Sequence, residues 1–291
     1  MIRYIDLIHS AMRSAGITPP RDIYLDGQLH RCDTDRLGDK AGWYIIYDDC
    51  IPTVVCGNWK TGQKEILCNK DALSLAEHQE YKRITEDARR QRDRAKQSDQ
   101  RKAAKKANLI WESCHIATDH PYLKRKGINP NGAKVNFRGA LVIPVRVKGK
   151  ITSLQFIHPD GSKKFLSGGK VKGGYFQIGD LTKPDIAYIC EGFATGATVY
   201  EETGKPVFCA FNAKNLTPVA SFVRANYPDA AIIIAGDNDH ATQGNPGITE
   251  AKKAAAAVGG VWTVPIFTGL NYTSKDTDFN DLKRLTGGFD V

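Results

Sequence analysis

No apolar run in this sequence of 291 residues approaches the roughly 20 residues that a membrane-spanning helix requires. The first residues, from Met1 to Asp6, carry too much charge for a secretory signal. The seven cysteines are odd in number and form no C-x-x-C pair, as is typical of reduced thiols and not of a disulfide framework. These absences predict a cytoplasmic protein without a membrane segment.

A phosphate-binding loop of the form G-x-x-x-x-G-K-[ST] is also absent, so these residues contain no helicase or other NTPase motor of that class. Paired zinc knuckles are missing too. Several candidate zinc ligands occur near the N-terminus, but their spacings match no paired zinc pattern: His30, Cys32, Cys50, Cys56 and Cys68. We therefore expect no zinc site.

Positive charge, by contrast, is abundant. The net charge is +9 and the isoelectric point is near 9.1. Residues 82–106 hold eleven Lys or Arg against four acidic residues, and residues 72–109 contain no Gly or Pro, which predicts one long helix. Such a helix can neutralise nucleic-acid phosphates or can simply be solvated, and the sequence leaves both open. Its apolar residues are sparse, so we assign residues 71–110 to a basic helical linker.

Residues 1–70 are predicted to form a small β-rich module. Apolar residues at helical spacing within residues 3–15 indicate a short amphipathic helix. Strand-like runs separated by turn residues follow it, as is typical of a small antiparallel sheet: 23–25, 43–47 and 53–56. The tryptophans Trp43 and Trp59 could stack on single-stranded nucleic acid or could belong to the core.

Two acidic sites lie where buried strands are predicted to end. The apolar run 185–190 stops at Glu191, and the run 230–235 stops just before Asp237 and Asp239. Between the two runs the pattern predicts a helix at 194–202, a strand at 206–211 and a helix at 217–227. This β-α-β-α-β series predicts a mostly parallel sheet, whose strand ends meet at one edge. We therefore expect the three carboxylates to converge and to bind a cation, with Mg²⁺ favoured.

The Glu191-Gly192 site and the Asp237-x-Asp239 pair, in one α/β unit, resemble the Toprim domain of DnaG-type primases, topoisomerases and certain nucleases. The resemblance implies a Rossmann-like parallel sheet over residues 183–291. It also implies catalytic and metal-binding roles for Glu191, Asp237 and Asp239, with Mg²⁺ or Mn²⁺ as the ion. A later acidic loop would complete the metal cluster through Asp278 or Asp281, although a helix N-cap role is the alternative for these two.

Residues 111–182 resemble the basic α+β subdomain that precedes the Toprim domain in DnaG-type primases. Its Tyr122-Leu-x-x-Lys-Gly-Ile128 element is similar to a Tyr-Leu-x-x-Arg-Gly element that other Toprim classes do not have. The resemblance implies that cations of this subdomain contact the nucleotide triphosphate and the template: Arg138, Arg146, Lys163, Lys164 and Lys172. A triphosphate brings more negative charge than two metal ions neutralise, so such cations are needed.

One position departs from the DnaG pattern. DnaG proteins carry an acidic residue four positions after the conserved glutamate, whereas this chain has Thr195. The Glu191-Gly-Phe-Ala-Thr-Gly196 version resembles primases encoded by plasmids and phages. Those primases also carry a small zinc-free N-terminal module with elements similar to His30-Arg31 and Gly42-Trp43-Tyr44.

These resemblances together imply a DNA primase of plasmid or phage type, which makes short RNA primers on a single-stranded DNA template from ribonucleoside triphosphates. Glu191 is expected to act as a metal ligand or as a general base. A replicative helicase would be a separate partner. Two alternatives stay open: a Toprim nuclease that uses water as its nucleophile, and a non-enzymatic DNA-binding replication factor. The upstream element argues against the first, and the intact acids argue against the second.

Overall fold

The computed structural model describes residues 2–47, 53–68, 75–182 and 184–289. The chain divides into two compact units, residues 1–94 and residues 95–291. Among the described helices, none combines the length and the apolarity that crossing a membrane would need.

The first unit contains a four-stranded antiparallel sheet, a helix that precedes it and the beginning of a long helix described below. Its elements are α1 (Ile2–Ser14), β1 (His30–Cys32), β2 (Gly42–Tyr47), β3 (Thr53–Asn58) and β4 (Lys64–Cys68), and the strands lie side by side in sequence order. The predicted helix and antiparallel sheet are confirmed. The strand predicted at residues 23–25 is wrong, because these residues pair with no other strand and only the next residue, Asp26, forms an isolated bridge.

Alternation along the strands decides which side chains of this sheet are buried. Tyr44, Ile46, Val54 and Cys56 point towards α1 and form a core with its apolar residues. Burial raises the pKa of the Cys32 and Cys56 thiols to about 11, so both remain protonated at neutral pH. Cys50, one of the candidate zinc ligands, lies outside the described residues.

A long helix, α2 (Leu75–Ser113), follows the first sheet and continues into the second unit. The predicted continuous basic helix is thus confirmed from residue 75 onward, while residues 72–74 lie outside the described residues. Its last turns are not solvated throughout. Ala103 and Ala107 are buried, and Ala107 packs with apolar side chains of the sheet that follows.

The second unit contains two sheets. The first is antiparallel and has the order β5 (His115–Ile116), β6 (Lys134–Val135), β7 (Leu141–Val147), β8 (Lys150–Ile157) and β9 (Lys163–Phe165). A short helix, α3 (Pro121–Lys126), lies between β5 and β6. His120 caps this helix, since its side chain accepts a hydrogen bond from the Tyr122 backbone N–H.

The other sheet of this unit is mostly parallel. Its strands are β10 (Phe176–Ile178), β11 (Ile186–Cys190), β12 (Val207–Cys209), β13 (Ala231–Ala235) and β14 (Val261–Thr263), in the order β10-β12-β11-β13-β14. Its helices are α4 (Phe193–Thr203), α5 (Leu216–Asn226), α6 (Pro246–Val258) and α7 (Phe279–Thr286). The predicted β-α-β-α-β series is confirmed. The structure adds β10, an antiparallel edge strand that pairs with β12.

Helices cover both faces of the parallel sheet. One hydrophobic cluster joins the sheet to α5 and α6, and another joins its opposite face to α3, α4 and α7. Glycines allow the helices to come close to the strand ends. A Cβ atom on Gly196 of α4 would lie 2.3 Å from Cys209 Sγ, and one on Gly247 of α6 would lie 2.2 Å from the Asp237 carbonyl oxygen. Both helices are therefore held tightly against the edge where the acidic residues lie.

Candidate active site

The carboxyl ends of β11 and β13 bring two acidic residues together. These strands are parallel neighbours, with Cys190 opposite Ala235, so Glu191 and Asp237 emerge at the same edge of the sheet. Asp278 reaches this edge from the start of α7. The three acids line one cavity of about 230 Å³ together with two cations and several other side chains: Lys126, Lys163, Tyr122, Thr195, Ala194 and Phe211.

Burial makes this cluster costly to ionise. It raises the pKa of Glu191 to about 7, and the charge of Asp239 adds to the effect. Burial also raises the pKa of Asp237 well above its ordinary range, with further contributions from Glu191, Asp278 and Asp239 that Lys163 opposes. The pKa of Asp278 is raised by burial too, against the opposing charge of Lys126. Neighbouring carboxylates in such a site need a cation to be ionised together at neutral pH.

Two oxygens of the cluster are left without a donor. Glu191 Oε1 and Asp237 Oδ1 are buried and have no hydrogen-bond partner among the described residues. Such oxygens carry the full penalty of desolvation unless something binds them. Carboxylate oxygens are the donors that Mg²⁺ and Mn²⁺ prefer, so these residues fit a divalent metal ion.

The protein side chains supply only part of a coordination shell. In the described ranges of the chain, no three His, Cys, Asp or Glu side chains converge closely enough to hold an ion by themselves. Mg²⁺ typically takes one or two carboxylates and keeps waters or substrate phosphates as its other ligands. Glu191 and Asp237, with Asp278 nearby, would be the residues that hold it.

Asp239 and Asp281 have other partners in this structure. Asp239 Oδ2 accepts a hydrogen bond from the Gly247 backbone N–H at 3.0 Å, at the start of α6. Asp281 Oδ2 accepts from the Thr277 N–H at 3.1 Å, and its Oδ1 lies 3.2 Å from Lys126 Nζ. Neither aspartate lines the cavity, although the charge of Asp239 still acts on Glu191. Their predicted roles as metal ligands remain predictions.

Asp278 has the N-cap role that the sequence offered as one alternative, and it also lines the cavity, while its role as a metal ligand stays a prediction. It is the N-cap of α7, because its Oδ1 accepts the Asp281 backbone N–H at 2.8 Å. Its Oδ2 accepts a hydrogen bond from the Thr195 hydroxyl at 3.2 Å. Thr195 occupies the position where DnaG-type primases carry an acid. In this chain the position therefore supplies a hydroxyl group that orients the Asp278 carboxylate, and it adds no further carboxylate to the site.

Lys163 is the predicted cation that reaches the acids. Lys163 is exposed as a whole residue, but its ammonium end lies against the cavity lining, with Nζ 5.9 Å from the centre of the Tyr122 ring. Burial lowers the pKa of Lys163, while the charges of Asp278 and Asp237 oppose that change. It makes no ion pair with a described residue. Lys164 follows it on the same strand and therefore points to the other face of the sheet.

The other predicted cations lie elsewhere in the second unit. Arg138 and Lys172 are exposed, and each lies in a turn. Arg146 donates to the Gly149 carbonyl at 3.1 Å and lines a groove of about 780 Å³ together with Lys105 and Lys150. The structure does not bring these three cations to the acidic cavity. Their predicted contacts with nucleotide or template stay predictions.

Tyr122 and Lys126 are cavity residues that the sequence did not assign to the site. Tyr122 is 2% exposed, and its hydroxyl has no partner among the described residues. Burial raises the pKa of this phenol, so the hydroxyl keeps its proton and can donate it in a hydrogen bond. Both residues belong to the Tyr122-Leu-x-x-Lys-Gly-Ile128 element, so this element was the feature of the sequence from which their place in the cavity could have been predicted.

His120 fixes the position of this tyrosine. Its Nδ1 accepts the Tyr122 backbone N–H at 3.2 Å, and its Nε2 lies 2.9 Å from the Gly139 carbonyl oxygen. Because a carbonyl can only accept, the imidazole carries its proton on Nε2. The start of α3 is thereby tied to the β6–β7 turn, and the tyrosine hydroxyl is held towards the acids.

Comparison with known proteins gives two groups of matches. Residues 186–288 match the family model described as the Toprim domain. A protein named DNA primase TraC from Escherichia coli is 32% identical over 290 residues, which cover 93% of this chain and 27% of the relative. A second Escherichia coli protein of that name is 33% identical over 300 residues, covering 95% of this chain and 20% of the relative. This chain therefore spans about a quarter of the curated relatives' length or less.

A solved structure is also similar in part. It shows the bacteriophage T7 lagging-strand DNA polymerase with primase domains of two gp4 subunits bound to an RNA/DNA hybrid and dTTP. The match covers 50% of this chain and 78% of that chain, with 20% identity and a TM-score of 0.36. A score this low supports no argument about the present chain.

Proposed function

Because residues 186–288 of this chain form a Toprim domain, we propose that the protein is a DNA primase, a nucleotidyltransferase that makes short RNA primers on single-stranded DNA. The observation that carries the proposal is a cavity shared by two acids and two cations. One oxygen each of Glu191 and Asp237 has no hydrogen-bond partner among the described residues, and Lys126 and Lys163 line the same cavity. Such a site suits a metal ion and a polyphosphate together. The similarity to the two proteins named DNA primase extends upstream of the Toprim domain and supports the same function.

A divalent ion held by Glu191 and Asp237, with Asp278, would supply charge stabilisation for the nucleotide phosphates and the leaving pyrophosphate. Lys163 and Lys126 would offset the charge of the triphosphate that remains. In the reaction, the primer 3′ oxygen forms a bond to the α-phosphorus and the bond from that phosphorus to the pyrophosphate oxygen breaks. The proton of the 3′ hydroxyl has to leave. Glu191 has one of two roles in this step, as a ligand of the ion or as the general base that accepts this proton.

The finer points belong to this proposal as well. The ion is Mg²⁺ or Mn²⁺, the template is single-stranded DNA and the substrates are ribonucleoside triphosphates. A replicative helicase would act as a separate protein. The proposal that the protein is a primase of plasmid or phage type rests on the similarity to TraC and on Thr195 in the Glu191-Gly-Phe-Ala-Thr-Gly196 motif. The reduced-type cysteine usage favours the cytoplasm as its location.

The test is a synthesis assay with single-stranded DNA, labelled ribonucleotides and Mg²⁺ or Mn²⁺. We expect oligonucleotide products from the wild-type chain and a loss of at least about 100-fold for Asp237→Ala, since several kcal/mol of transition-state stabilisation would disappear. Asp229→Ala is the matched control, because this exposed aspartate precedes the opposite end of β13. Cleavage of the DNA without synthesis would identify a nuclease, and metal-independent binding alone would identify a non-enzymatic factor.

A further inference from the structure

The sheet of the first unit has one covered face and one open face. Residues at even positions of β2 and β3, such as Tyr44 and Val54, pack under α1. Residues at odd positions therefore point away from the helix. This open face is aromatic and apolar, and it is only partly buried, with Ile66 of β4 61% exposed.

One row of residues crosses the open face through all its strands. Arg31 of β1 lies opposite Trp43 of β2, Trp43 lies opposite Gly57 of β3, and Gly57 lies opposite Lys64 of β4. A Cβ atom on Gly57 would come within 2.8 Å of the Trp43 ring. The indole thus lies directly on the backbone of the neighbouring strand, and a glycine is required beneath it. The row places an indole between two cations.

Trp59 extends this row outward. It directly follows β3, and its ring stacks on that of Trp43 with 5.9 Å between centroids and 28° between the ring planes. The Arg31 guanidinium carbon lies 4.6 Å from the centre of the Trp59 ring. The side chain nevertheless remains 49% exposed. A core tryptophan would be buried, so a stacked aromatic pair is held at the surface by Gly57 and Arg31.

Among the described strand residues, the charged side chains of the open face have one sign. Arg31 and Lys64 are its cations, and neither forms an ion pair with a described residue. The other residues of β2 and β3 on this side of the sheet are uncharged: Ile45, Tyr47, Val55 and Thr53, of which Thr53 is buried. The nearby aspartate Asp39 is already engaged by Lys60 at 2.8 Å. A ligand of this surface should therefore combine flat rings with negative charge.

We propose that the open face, defined by Arg31, Trp43, Trp59 and Lys64, binds single-stranded nucleic acid. Bases stack on the tryptophan pair, and the two cations contact phosphates on either side. Stacking of this kind is tolerant of sequence, because every base offers a π face. The surface belongs to the first unit and the proposed metal ligands belong to the second, and only the identification of the surface as template-binding rests on the proposed primase function.

The experiment measures binding of the full chain to a fluorescent 15-nucleotide oligo-dT in EDTA, by anisotropy at several salt concentrations. Trp59→Ala should weaken binding at least about fivefold, because loss of a base-stacking ring has effects of this order. Trp59→Phe should retain much of the affinity. Arg31→Ala should lower the slope of log affinity against log salt by about 0.7, as expected for one phosphate contact on a single strand.

Trp262→Ala is the matched control. Trp262 lies in the second unit, is 41% exposed and has Lys252 Nζ 4.8 Å above its ring, but no second tryptophan stacks on it. This variant should bind oligo-dT as the wild type does. Equal affinities for the wild type, Trp59→Ala and Arg31→Ala would overturn the proposal, whether or not another basic segment binds the oligonucleotide. They would point instead to a protein partner for this face.

The outcomes for the two proposals are separable. Asp237→Ala should bind oligo-dT normally while losing primer synthesis. If the chain makes no primers but Trp59→Ala still weakens binding, the open face stands and the primase proposal fails. If primers are made and every variant of the open face binds normally, the primase proposal stands and the open-face proposal fails.

Discussion

Asp39 in the first unit and Asp237 in the second are both aspartates, but their surroundings shift the pKa of the two side chains in opposite directions. The side chain of Asp39 is only 7% exposed, yet it accepts hydrogen bonds from the Thr34 and Ala41 backbone N–H groups and from Lys60. These donors hold its pKa below the ordinary range, with Lys60 and Thr34 contributing most. Asp237 has a buried oxygen with no donor among the residues that the structure describes, and its pKa is raised.

This difference supports a structural role for Asp39 and the proposed metal-binding role for Asp237. The first unit surrounds its aspartate with protein donors, so the charge is stabilised by the fold alone. The second unit leaves one buried oxygen each of Asp237 and Glu191 without a donor among the described residues, and the proposed metal ion would stabilise them. Lys60 and Lys163 differ in the same way as the two aspartates. Lys60 is paired with Asp39, whereas Lys163 lies beside acids without pairing to any described residue.

Substituting Lys60 and Lys163 should give the largest difference between the two units. Lys163→Ala should raise the KM for nucleotide by about 10- to 100-fold, because a charge-assisted contact with the triphosphate would disappear. Its effect on the melting temperature should be small. Lys60→Ala should do the opposite and lower the melting temperature with no change in the KM.

Lys164→Ala provides the internal control for this prediction. The neighbouring lysine lies on the same strand and carries the same charge, but it points to the other face of the sheet. Its KM should stay near the wild-type value. A KM raised equally by the two substitutions would mean that the subdomain acts through general charge and not through a placed Lys163.

A smaller effect is expected for Tyr122→Phe. The hydroxyl is buried beside the acids and unpartnered among the described residues, so it is available to a bound substrate. Its removal should lower kcat/KM about 3- to 10-fold, as expected for one hydrogen bond, without lowering the melting temperature. Tyr200→Phe is the control, because that ring packs against Gly179 away from the cavity. A loss of stability with unchanged kinetics would assign Tyr122 to packing only.

The pH dependence of stability without metal should differ in sign between the two acids. The pKa of Glu191 rises from 4.5 to about 7 on folding, so its contribution is full below pH 4.5 and is lost as the pH rises through 7. The pKa of Asp39 falls below 3.8, so its contribution is present above that pH and is lost on further acidification. Denaturation of the metal-free chain between pH 5 and 8 should therefore show a falling free energy of unfolding. Glu191→Gln should flatten that slope.

The parallel sheet could be predicted from the sequence, and so could the edge at which Glu191 and Asp237 lie. Both follow apolar runs that end abruptly, and strand order then fixes their position. The sequence could not show that Asp281 is tied to Lys126, since hydrogen-bond partners depend on contacts far apart in the chain. It also could not rank Lys163 above Lys164. That choice depends on the register of β9 against β8, which determines the face that each lysine occupies.

Binding of a metal ion to the cavity tests the account most directly, and it can be measured without turnover. Titration with Mn²⁺ or Mg²⁺ at pH 8, followed by calorimetry and by melting temperature, should show binding and stabilisation of the wild-type chain. Asp237→Asn should lose both, while Asp39→Asn should keep the metal response on a less stable fold. Equal metal binding by the wild type and Asp237→Asn would contradict the claim that Glu191 and Asp237 form the metal site.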